Sequence, residues 1–418
     1  MARSKFRDIR NGEKRRAGEG ARKKYARKLL QVLEGDMREK GNTIDLIVTV
    51  NKADKDYLQR HIIEPNAKAG HYINNAGVLT FKSGLKFAKD IIEAWTYGNN
   101  SLAKSYPGTI DSVMSIEPAS EVIAGPIRKS KKSLEQGWNL DFIGVPEAQR
   151  HGRGEGIKIA ILDTGADYNH EEIKARYGKE KGVNFVNPGD DVMDRHGHGT
   201  HVSGTAAGKN VGIANKAQLY AVKILNDKGS GSDADIIAGI DWCITKGVDV
   251  INMSLGGPVY SYAFQEVCYA AAEHGLLVVA AAGNSGDRGE GESYPAAYDN
   301  VISVASIDEN GERSYFSNKS ITLDIAAPGE SIYSSVPGGY ASFDGTSMAA
   351  PHITGGVALL KSFMKNSHLE AIVKRTSTEP HGGRDRNDYG AGIVDLASAV
   401  RGNSRMKNTL KKIYRVLF

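Results

Sequence analysis

Short apolar runs alternate with amphipathic segments along most of the chain, and residues 41–118 form the first block of this kind. The pattern predicts strands and helices in the order β-α-β-α-β, at residues 44–51, 53–63, 78–81, 85–97 and 110–116. This order predicts a small α+β domain that precedes the rest of the protein.

A second block, from about residue 137 to residue 400, contains apolar strands that are each followed by a loop or a helix. The predicted elements are strands at residues 157–162, 218–224, 250–253, 277–282 and 301–307, and helices from residue 199, at 234–246 and at 263–274. Such alternation predicts a parallel sheet covered by helices on both faces, which is a three-layer α/β fold. Ligands of these sheets bind at the carboxyl ends of the strands.

Residues 119–136 separate the two blocks and have a different composition. They contain Gly125-Pro126 and a run of basic residues from Arg128 to Lys132. Glycine, proline and dense charge are typical of a linker, so we expect irregular structure and a domain boundary here.

The overall composition excludes several classes of protein. With 40% hydrophobic and 25% charged residues, the 418-residue chain is neither disordered, collagen-like nor a coiled coil. It has no run of about 18 apolar residues, so no membrane span is expected. Its two cysteines, Cys243 and Cys268, are too few for a disulfide scaffold or a four-ligand zinc site, and we expect two buried thiols rather than one bridge.

The charge is concentrated at the two ends of the chain. Residues 1–40 hold 14 Lys/Arg against 6 Asp/Glu, and residues 401–418 hold 6 Lys/Arg and no acid. The ends therefore carry +8 and +6, and residues 41–400 carry −9 of the total +5. We expect a solvated extension at the N-terminus and a short helix docked on the body at the C-terminus. Contact of these tails with nucleic acid or an anionic surface is the alternative.

Three polar clusters in the second block coincide with the ends of predicted elements. Asp163 ends the first strand, residues 194–205 place three histidines among glycines, and Ser347 begins a helix. Taken singly, Asp163 is typical of a turn or cap and Ser347 of a helix N-cap. The histidines fit a metal site or one imidazole at a helix start, although the spacing of zincins and a cysteine pair are both missing.

Together with a fourth motif, these clusters resemble the subtilisin-like serine proteases, or subtilases. The matching motifs are LDTG at Asp163, HGTHVSGT from His198, AAAGN ending at Asn284 and GTSMAAPH around Ser347, in the order of the family. Secondary matches lie at residues 220–225, 229–231, 252–257 and 389–392. The resemblance extends over about residues 136–400, and implies a three-layer parallel-sheet fold and serine endopeptidase activity on proteins or peptides.

The resemblance also implies a role for each of the four residues. Ser347 would attack the peptide carbonyl and form an acyl-enzyme, with His198 as the base that takes its proton. Asp163 would fix the orientation of the imidazole. The side chain of Asn284 and the backbone N–H of Ser347 would stabilise the negative oxygen that develops.

Three other histidines lie close to these motifs in the sequence. His196 is expected in a loop, His201 is expected to be packed or to cap the helix, and His352 is expected to have a structural role in the helix that follows Ser347. His201 is the alternative base, since sequence alone does not establish geometry.

In the family that this chain resembles, the substrate adds as an extended strand between two backbone edges. The residues at the matching edges and pocket wall are Gly229, Ser230, Gly231, Ser254, Leu255, Gly256 and Gly283. Glu292 lies near the expected pocket floor. It would favour a basic substrate residue if it pointed inward, but a solvated loop carboxylate is the preferred interpretation.

Residues 41–118 are similar to the propeptide of secreted subtilisins, most closely at residues 113–118. This implies an intramolecular chaperone and inhibitor that the enzyme removes by a cut within residues 119–136. An unrelated regulatory α/β domain is the alternative. The compartment stays open, because residues 1–40 lack the apolar core of a secretory signal and so predict the cytoplasm, while a propeptide predicts export by an unrecognised route.

Calcium is the one cofactor that the resemblance raises. Many secreted subtilisins insert a calcium-binding loop into the helix that begins at the catalytic histidine. Residues 204–214 run through this region without the insertion and carry Lys209 in the middle, so we expect this site to be absent. A weaker structural site around Asp190 and Asp191 is the alternative, and catalysis is expected to need no metal.

Two other functions fit parts of the sequence. One is a catalytically silent subtilisin-like scaffold or binding protein that retains its prodomain. The other is a factor tethered to nucleic acid or to a surface by residues 1–40, in which the protease domain is secondary.

Overall fold

The computed structural model describes residues 26, 29–30, 43–50, 58–63, 67–73, 76–97, 102, 104, 113–125, 127–130, 137–289, 291–364, 368–380 and 385–402. The predictions for the basic extension at residues 1–40 and for the tail at 401–418 fall almost wholly outside these ranges. The chain forms two compact units, Met1–Ser120 with Ser261–Ala263, and Glu121–Tyr260 with Phe264–Phe418.

The first unit contains a four-stranded antiparallel sheet and one long helix. Its strands are β1 (Thr43–Val50), β2 (Lys68–Ile73), β3 (Val78–Gly84) and β4 (Val113–Pro118), and its helix is α1 (Leu85–Tyr97). The spatial order is β2-β3-β1-β4. Strand β2 was not predicted, because its sequence KAGHYI has no regular alternation of apolar and polar residues.

The core of the first unit lies between α1 and the sheet. Ile91, Ile92 and Trp95 of α1 are spaced three and four residues apart, which places them on one face of the helix, and all are buried. They belong to one apolar cluster with Leu46 and Phe81 from the strands. Of the helix predicted at residues 53–63, the described part contains a short π-helical turn at Gln59–Ile63.

A seven-stranded parallel sheet forms the centre of the second unit. Its strands are β7 (Lys158–Asp163), β8 (Tyr177–Asn184), β9 (Gln218–Lys223), β11 (Val250–Met253), β13 (Leu277–Ala281), β14 (Ile302–Ile307) and β15 (Ile325–Pro328). The spatial order is β15-β14-β13-β11-β7-β9-β8, and every neighbouring pair is parallel. The predicted three-layer α/β fold is confirmed.

Short strands and helices complete the second unit. The strands are β5 (Glu121–Ala124), β6 (Arg128–Lys129), β10 (Ser230–Ser232), β12 (Leu255–Gly256), β16 (Ile332–Val336) and β17 (Gly339–Asp344). The helices are α2 (Trp138–Phe142), α3 (Val145–Ala148), α4 (His198–Ala207), α5 (Asp233–Lys246), α6 (Tyr262–Glu273), α7 (Thr346–Lys361), α8 (Leu369–Arg375) and α9 (Arg386–Tyr389). Helices α4 and α7 are buried over most of their length, since they lie in the main apolar core of this unit.

The segment between the two sequence blocks is more regular than its composition suggested. Strand β5 is the middle strand of a sheet ordered β10-β5-β12, and β6 extends a second sheet ordered β16-β17-β6. The expectation of irregular structure throughout residues 119–136 is therefore wrong for these two strands.

Two smaller predictions concern the interior and the surface. Cys243 and Cys268 are free buried thiols, as predicted, and burial raises the pKa of both. Within the described ranges, no helix combines the length and apolar character needed to cross a bilayer.

Candidate active site

Asp163 is the last residue of β7, an interior strand of the parallel sheet, so its side chain lies at the edge where ligands of such sheets bind. It is fully buried, with 0% of its surface exposed. Its Oδ1 accepts the backbone N–H of Thr164 at 2.7 Å. A carboxylate in this setting needs strong partners, because burial of an unpaired charge is costly.

His198 is the first residue of α4 and supplies the main partner of Asp163. Its Nδ1 lies 2.8 Å from Oδ1 and 2.9 Å from Oδ2 of Asp163. The two elements approach closely because Gly199 follows: a β-carbon there would lie 2.1 Å from the carbonyl oxygen of Gly165. The glycine of the HGTH motif is therefore required for steric reasons.

The electrostatic environment of His198 is set by two opposing effects. Complete burial by itself would lower the pKa of the imidazole, since the charged form loses hydration. The negative charge of Asp163 and the hydrogen bond to it favour the protonated ring, and the net result is that the pKa of His198 is raised.

Asp194 is a buried residue of this region to which the sequence reasoning gave no role. Its carboxylate accepts hydrogen bonds from the backbone N–H groups of His196, Gly197 and Thr200 and from the hydroxyl of Thr164. It thereby connects the end of β7 to the turn that begins α4. An aspartate five residues before a predicted helix was the available signal, because acidic side chains favour helix N-termini.

Ser347 lies in the first turn of α7 and is 3% exposed. Its hydroxyl donates to the carbonyl oxygen of Ser254 at 3.1 Å, and the Ser254 hydroxyl donates to the carbonyl oxygen of Ser347 at 2.8 Å. This reciprocal pair joins the start of α7 to the segment between β11 and β12. The prediction that a serine begins this helix is confirmed, although Gly345 and not Ser347 occupies the N-cap position.

The hydrogen bond that a nucleophile and its base would share is not formed here. Among the described residues, Nε2 of His198 is buried and has no hydrogen-bond partner. Ser347 instead directs its hydroxyl to the carbonyl oxygen of Ser254. The bond between a nucleophile and its base often forms only when the substrate is bound.

Asn284 follows β13 and is held from the start of α7. Its Oδ1 accepts both the backbone N–H and the hydroxyl of Thr346, at 2.8 and 2.9 Å. Because the oxygen of the amide is fixed in this way, the direction of the Nδ2 donor is fixed as well. A β-carbon on Gly125 would lie 2.6 Å from this Nδ2 and 3.0 Å from the Ser347 hydroxyl oxygen.

The chain itself crosses the candidate site, through residues 121–125 and 127–130, which we call the strap. Strand β5 pairs with β10 on one side, with Val122 opposite Gly231, and with β12 on the other, with Ala124 opposite Leu255. Ala124 also donates its N–H to the carbonyl oxygen of Gly229 at 2.8 Å.

The seven predicted substrate-binding residues therefore fall into three positions. Gly229 to Gly231 flank the strap on one side, and Ser254 to Gly256 flank it on the other. Gly283, with a φ of 107°, precedes Asn284 and donates its N–H to the Thr346 hydroxyl at 3.1 Å. Glu292, the possible pocket carboxylate, is exposed and accepts the Tyr294 hydroxyl at 3.4 Å, as in the preferred interpretation of a solvated loop residue.

The other histidines have structural partners or a different setting. Nε2 of His201 lies 2.9 Å from the carbonyl oxygen of Ile332, its ring stacks on Phe343, and burial lowers its pKa to about 3. His352 is a buried residue of α7 whose Nδ1 lies 2.8 Å from the carbonyl oxygen of Met348, and burial lowers its pKa to about 4. His196 lies in the turn before α4, with its ring centroid 6.3 Å from that of His198. Of these rings, only His198 contacts a carboxylate in the described hydrogen bonds and ion pairs.

The segment after α4, where the calcium-binding loop was expected to be absent, is hydrogen-bonded to the carboxylate of Glu172. Its Oε1 accepts the backbone N–H groups of Asn210 at 2.5 Å and of Val211 at 2.8 Å, and its Oε2 accepts the Asn210 side-chain amide at 3.0 Å. These donors are N–H groups, whereas calcium requires oxygen ligands. The residues present at this place therefore do not fit a calcium ion.

The alternative calcium position also has an internal partner. Asp191 accepts the Tyr168 hydroxyl at 2.7 Å, while Asp190 is exposed. In the part of the chain that the structure describes, no group of three or more His, Cys, Asp or Glu side chains is arranged to hold a metal ion.

Comparison with known proteins agrees with this geometry. The model of the subtilase family matches residues 154–392. Subtilisin DY of Bacillus licheniformis is 38% identical over 273 residues, covering 63% of this chain and 98% of that protein. Subtilisin Savinase of Lederbergia lenta is 40% identical with the same coverage, and an intracellular serine protease of Paenibacillus polymyxa is 42% identical over 265 residues, covering 61% of this chain and 80% of that protein.

Proposed function

This chain belongs to the subtilase family and is a serine endopeptidase, and from this premise we propose that Ser347, His198 and Asp163 are its catalytic triad. The observation that carries the proposal is the buried pair of Asp163 and His198, joined at 2.8 Å, at the same sheet edge as Ser347. Subtilases hydrolyse peptide bonds in proteins and need no catalytic cofactor.

In the proposed mechanism, Ser347 forms a covalent bond to the substrate carbonyl carbon while its proton passes to Nε2 of His198. The tetrahedral intermediate then collapses to an acyl-enzyme as His198 returns the proton to the leaving amine. Water hydrolyses the acyl-enzyme by the same route in reverse. Asp163 holds Nδ1 of His198, so that Nε2 is the nitrogen that exchanges the proton.

Negative charge develops on the carbonyl oxygen during both steps, and we assign its stabilisation to two donors. One is Nδ2 of Asn284, whose amide orientation is fixed by Thr346. The other is the backbone N–H of Ser347, in the first turn of the 16-residue helix α7. Donors at a helix N-terminus favour negative charge, and they need no reorganisation when they are fixed in advance.

The strap indicates how an extended substrate binds. We propose that a substrate replaces β5 and pairs with β10 and β12 through the backbone of Gly229 to Gly231 and Ser254 to Gly256. Main-chain pairing gives affinity that is largely independent of sequence, and every second side chain faces the protein. Exposed or unfolded protein segments fit this mode, because they can adopt the extended conformation.

The strap also supports self-processing. Gly125 lies against both Asn284 and Ser347, and a side chain at this position would collide with the Asn284 amide. We propose that the first unit is a propeptide that assists folding, inhibits the enzyme, and is released by a cut at one of the two peptide bonds of Gly125. This position lies within the range of residues 119–136 expected from the sequence.

For calcium, the partners of Glu172 support a different stabilising element at the end of α4. A cap of backbone and side-chain N–H groups on a buried carboxylate fixes this loop without an ion. We therefore propose that stability of this region does not depend on calcium.

The test is expression of the full chain beside Ser347→Ala, with Ser362→Ala at the other end of α7 as the matched control. Intact mass is followed over time, and the proteins are exposed to a fluorophosphonate probe. We expect wild type and Ser362→Ala to be cut at Gly125 and labelled, and Ser347→Ala to stay intact and unlabelled.

Two results would contradict the proposal. Labelling that persists in Ser347→Ala would assign the nucleophile to another residue. A folded wild type that takes no label, even after the first unit has been removed by limited proteolysis, would favour the catalytically silent scaffold.

A further inference from the structure

The strap continues past Gly125 and is held on the other side of Ser347 by a second strand pairing. Arg128 of β6 lies opposite Asp344 of β17, and Lys129 lies opposite Phe343. Ser130 then donates its N–H to the carbonyl oxygen of Ser342 at 2.9 Å. The chain is therefore held on both sides of the nucleophile, and the second side is the one from which a leaving group departs.

Arg128 makes the most specific side-chain contacts of this second segment. Its Nη1 donates to the Tyr315 hydroxyl at 3.0 Å, and its Nη2 donates to the carbonyl oxygen of Asn284 at 3.3 Å. The guanidinium carbon lies 5.1 Å from the ring centroid of Phe316 and 5.7 Å from that of Tyr315. We call Tyr315, Phe316 and the Asn284 carbonyl group the arginine cradle.

The shape of the cradle selects for a guanidinium group. Two N–H groups reach two separate acceptors while the cation lies within about 6 Å of two aromatic rings, which is the range of a cation–π contact. A lysine ammonium group is a compact point charge and cannot reproduce this planar arrangement. Within the described residues, no carboxylate forms an ion pair with Arg128, so selection depends on geometry rather than on net charge.

The cradle also lies next to the proposed catalytic machinery. One of its two acceptors is the backbone carbonyl group of Asn284, the residue whose side chain we assign to stabilise the oxyanion. Phe316 is buried, and its carbonyl oxygen accepts the N–H of Gly286 at 2.8 Å, so the ring is fixed to the loop that carries Asn284. Tyr315, in contrast, is 62% exposed and accessible to a substrate.

We propose that the arginine cradle is a substrate subsite on the leaving-group side. It binds an arginine three residues after the substrate residue that lies against Ser347, which is the position that Gly125 has in the uncut chain. In the uncut chain, Arg128 occupies this subsite itself. The inference rests on the proposed function, and it extends that function from protein substrates in general to segments with arginine at this position.

The first test measures the occupied cradle without requiring any activity. In the full-length Ser347→Ala chain, hydrogen exchange of the amides in residues 127–130 is compared after Arg128→Ala, Arg128→Lys and Lys129→Ala. Lys129 is the matched control, since it is the exposed neighbour on the same strand. From the size of one hydrogen bond of ordinary strength and one cation–π contact at an exposed site, we expect both Arg128 variants to exchange roughly 5- to 30-fold faster. Equal exchange in Arg128→Ala and Lys129→Ala would overturn the proposal.

The second test measures the subsite with substrates, in a processed Arg128→Ala chain so that the enzyme's own arginine does not compete. Two quenched fluorescent peptides differ at one position, three residues after the residue that is to lie against Ser347. One peptide has arginine at this position and the other has norleucine. We expect kcat/KM to be roughly 5- to 30-fold higher for the arginine peptide, and this ratio to approach one in Tyr315→Ala but not in Ile321→Ala.

The outcomes separate this inference from the proposed function. If both peptides are cut equally well, the cradle is not a subsite, while the proposed triad stands. If neither peptide is cut and Ser347 takes no fluorophosphonate label, the proposed function fails, and the exchange measurement alone decides whether the cradle binds Arg128.

Discussion

Two buried carboxylates lie near the two ends of α4, and their partners differ. Asp163, at the start of the helix, contacts the imidazole of His198, whose other nitrogen has no partner among the described residues. Glu172, near the end of the helix, accepts N–H groups of Asn210 and Val211 that do not titrate. The same chemical group therefore belongs to a pair that can exchange a proton in one place and to a fixed cap in the other. Burial alone does not distinguish these two carboxylates; the donor that faces each of them does.

Among the changes that test this contrast, Asp163→Asn should have the largest effect, and the effect should be on kcat. Without the negative charge, the imidazolium that forms during catalysis is no longer stabilised and the tautomer of His198 is no longer fixed. We expect kcat to fall by about 10⁴, the size found when the same change is made in another serine protease triad. Active-site-titrated enzyme and a peptide substrate give the measurement, with the exposed Asp190→Asn as control. A loss of less than tenfold would remove Asp163 from the proposed mechanism.

Glu172→Ala tests the other carboxylate, and its effect should be on stability. The amides of Asn210 and Val211 lose their acceptor, so we expect the free energy of unfolding to fall by about 1–3 kcal/mol, and by less in Glu172→Gln. Its exposed neighbour is the control, since Glu171→Ala should change stability by no more than about 0.5 kcal/mol. Thermal unfolding is measured with and without a chelator. If the chelator destabilised wild type but not Glu172→Ala, a cation would be bound at Glu172 after all.

The smallest expected effect is a shift in pH dependence. Because Asp163 raises the pKa of His198, the base loses its proton only above the ordinary histidine value of about 6.5. The acidic limb of kcat/KM should therefore lie above that pH in wild type. It should move to lower pH in the residual activity of Asp163→Asn, where burial acts without the opposing charge, and stay in place in Glu172→Gln. A limb that Asp163→Asn leaves unmoved would mean that another group controls it.

The same contrast explains what the sequence could predict. Asp163 ends a strand, His198 begins a helix, Ser347 lies in the first turn of a helix and Asn284 comes shortly after a strand, so local pattern located these elements within one or two residues. The resemblance to the subtilases then indicated which of the three histidines near α4 faces a carboxylate. The described geometry agrees, because His201 contacts backbone carbonyl groups instead.

The role of Glu172 and the strands of the strap could not be read in this way. Glu172 lies in a turn, and the amides that it binds come 38 and 39 residues later in the chain. Strand β5 has only four residues, and its two partner strands are more than 100 residues away. Their structure depends on tertiary contacts, which override the preference of a short charged segment for irregular structure.

The position of Gly125 in the strap has a consequence for effective concentration. As part of one continuous chain, the strap meets its site as an intramolecular ligand, so dilution of the protein cannot release it. The proposed cut at Gly125 would divide this ligand into two pieces with different fates. The piece with β5 would depart with the first unit, in a step that depends on protein concentration, whereas the piece with Arg128 would carry the new N-terminus of the protease. That piece would stay tethered beside the cradle, so that each incoming substrate would compete with the enzyme's own first residues.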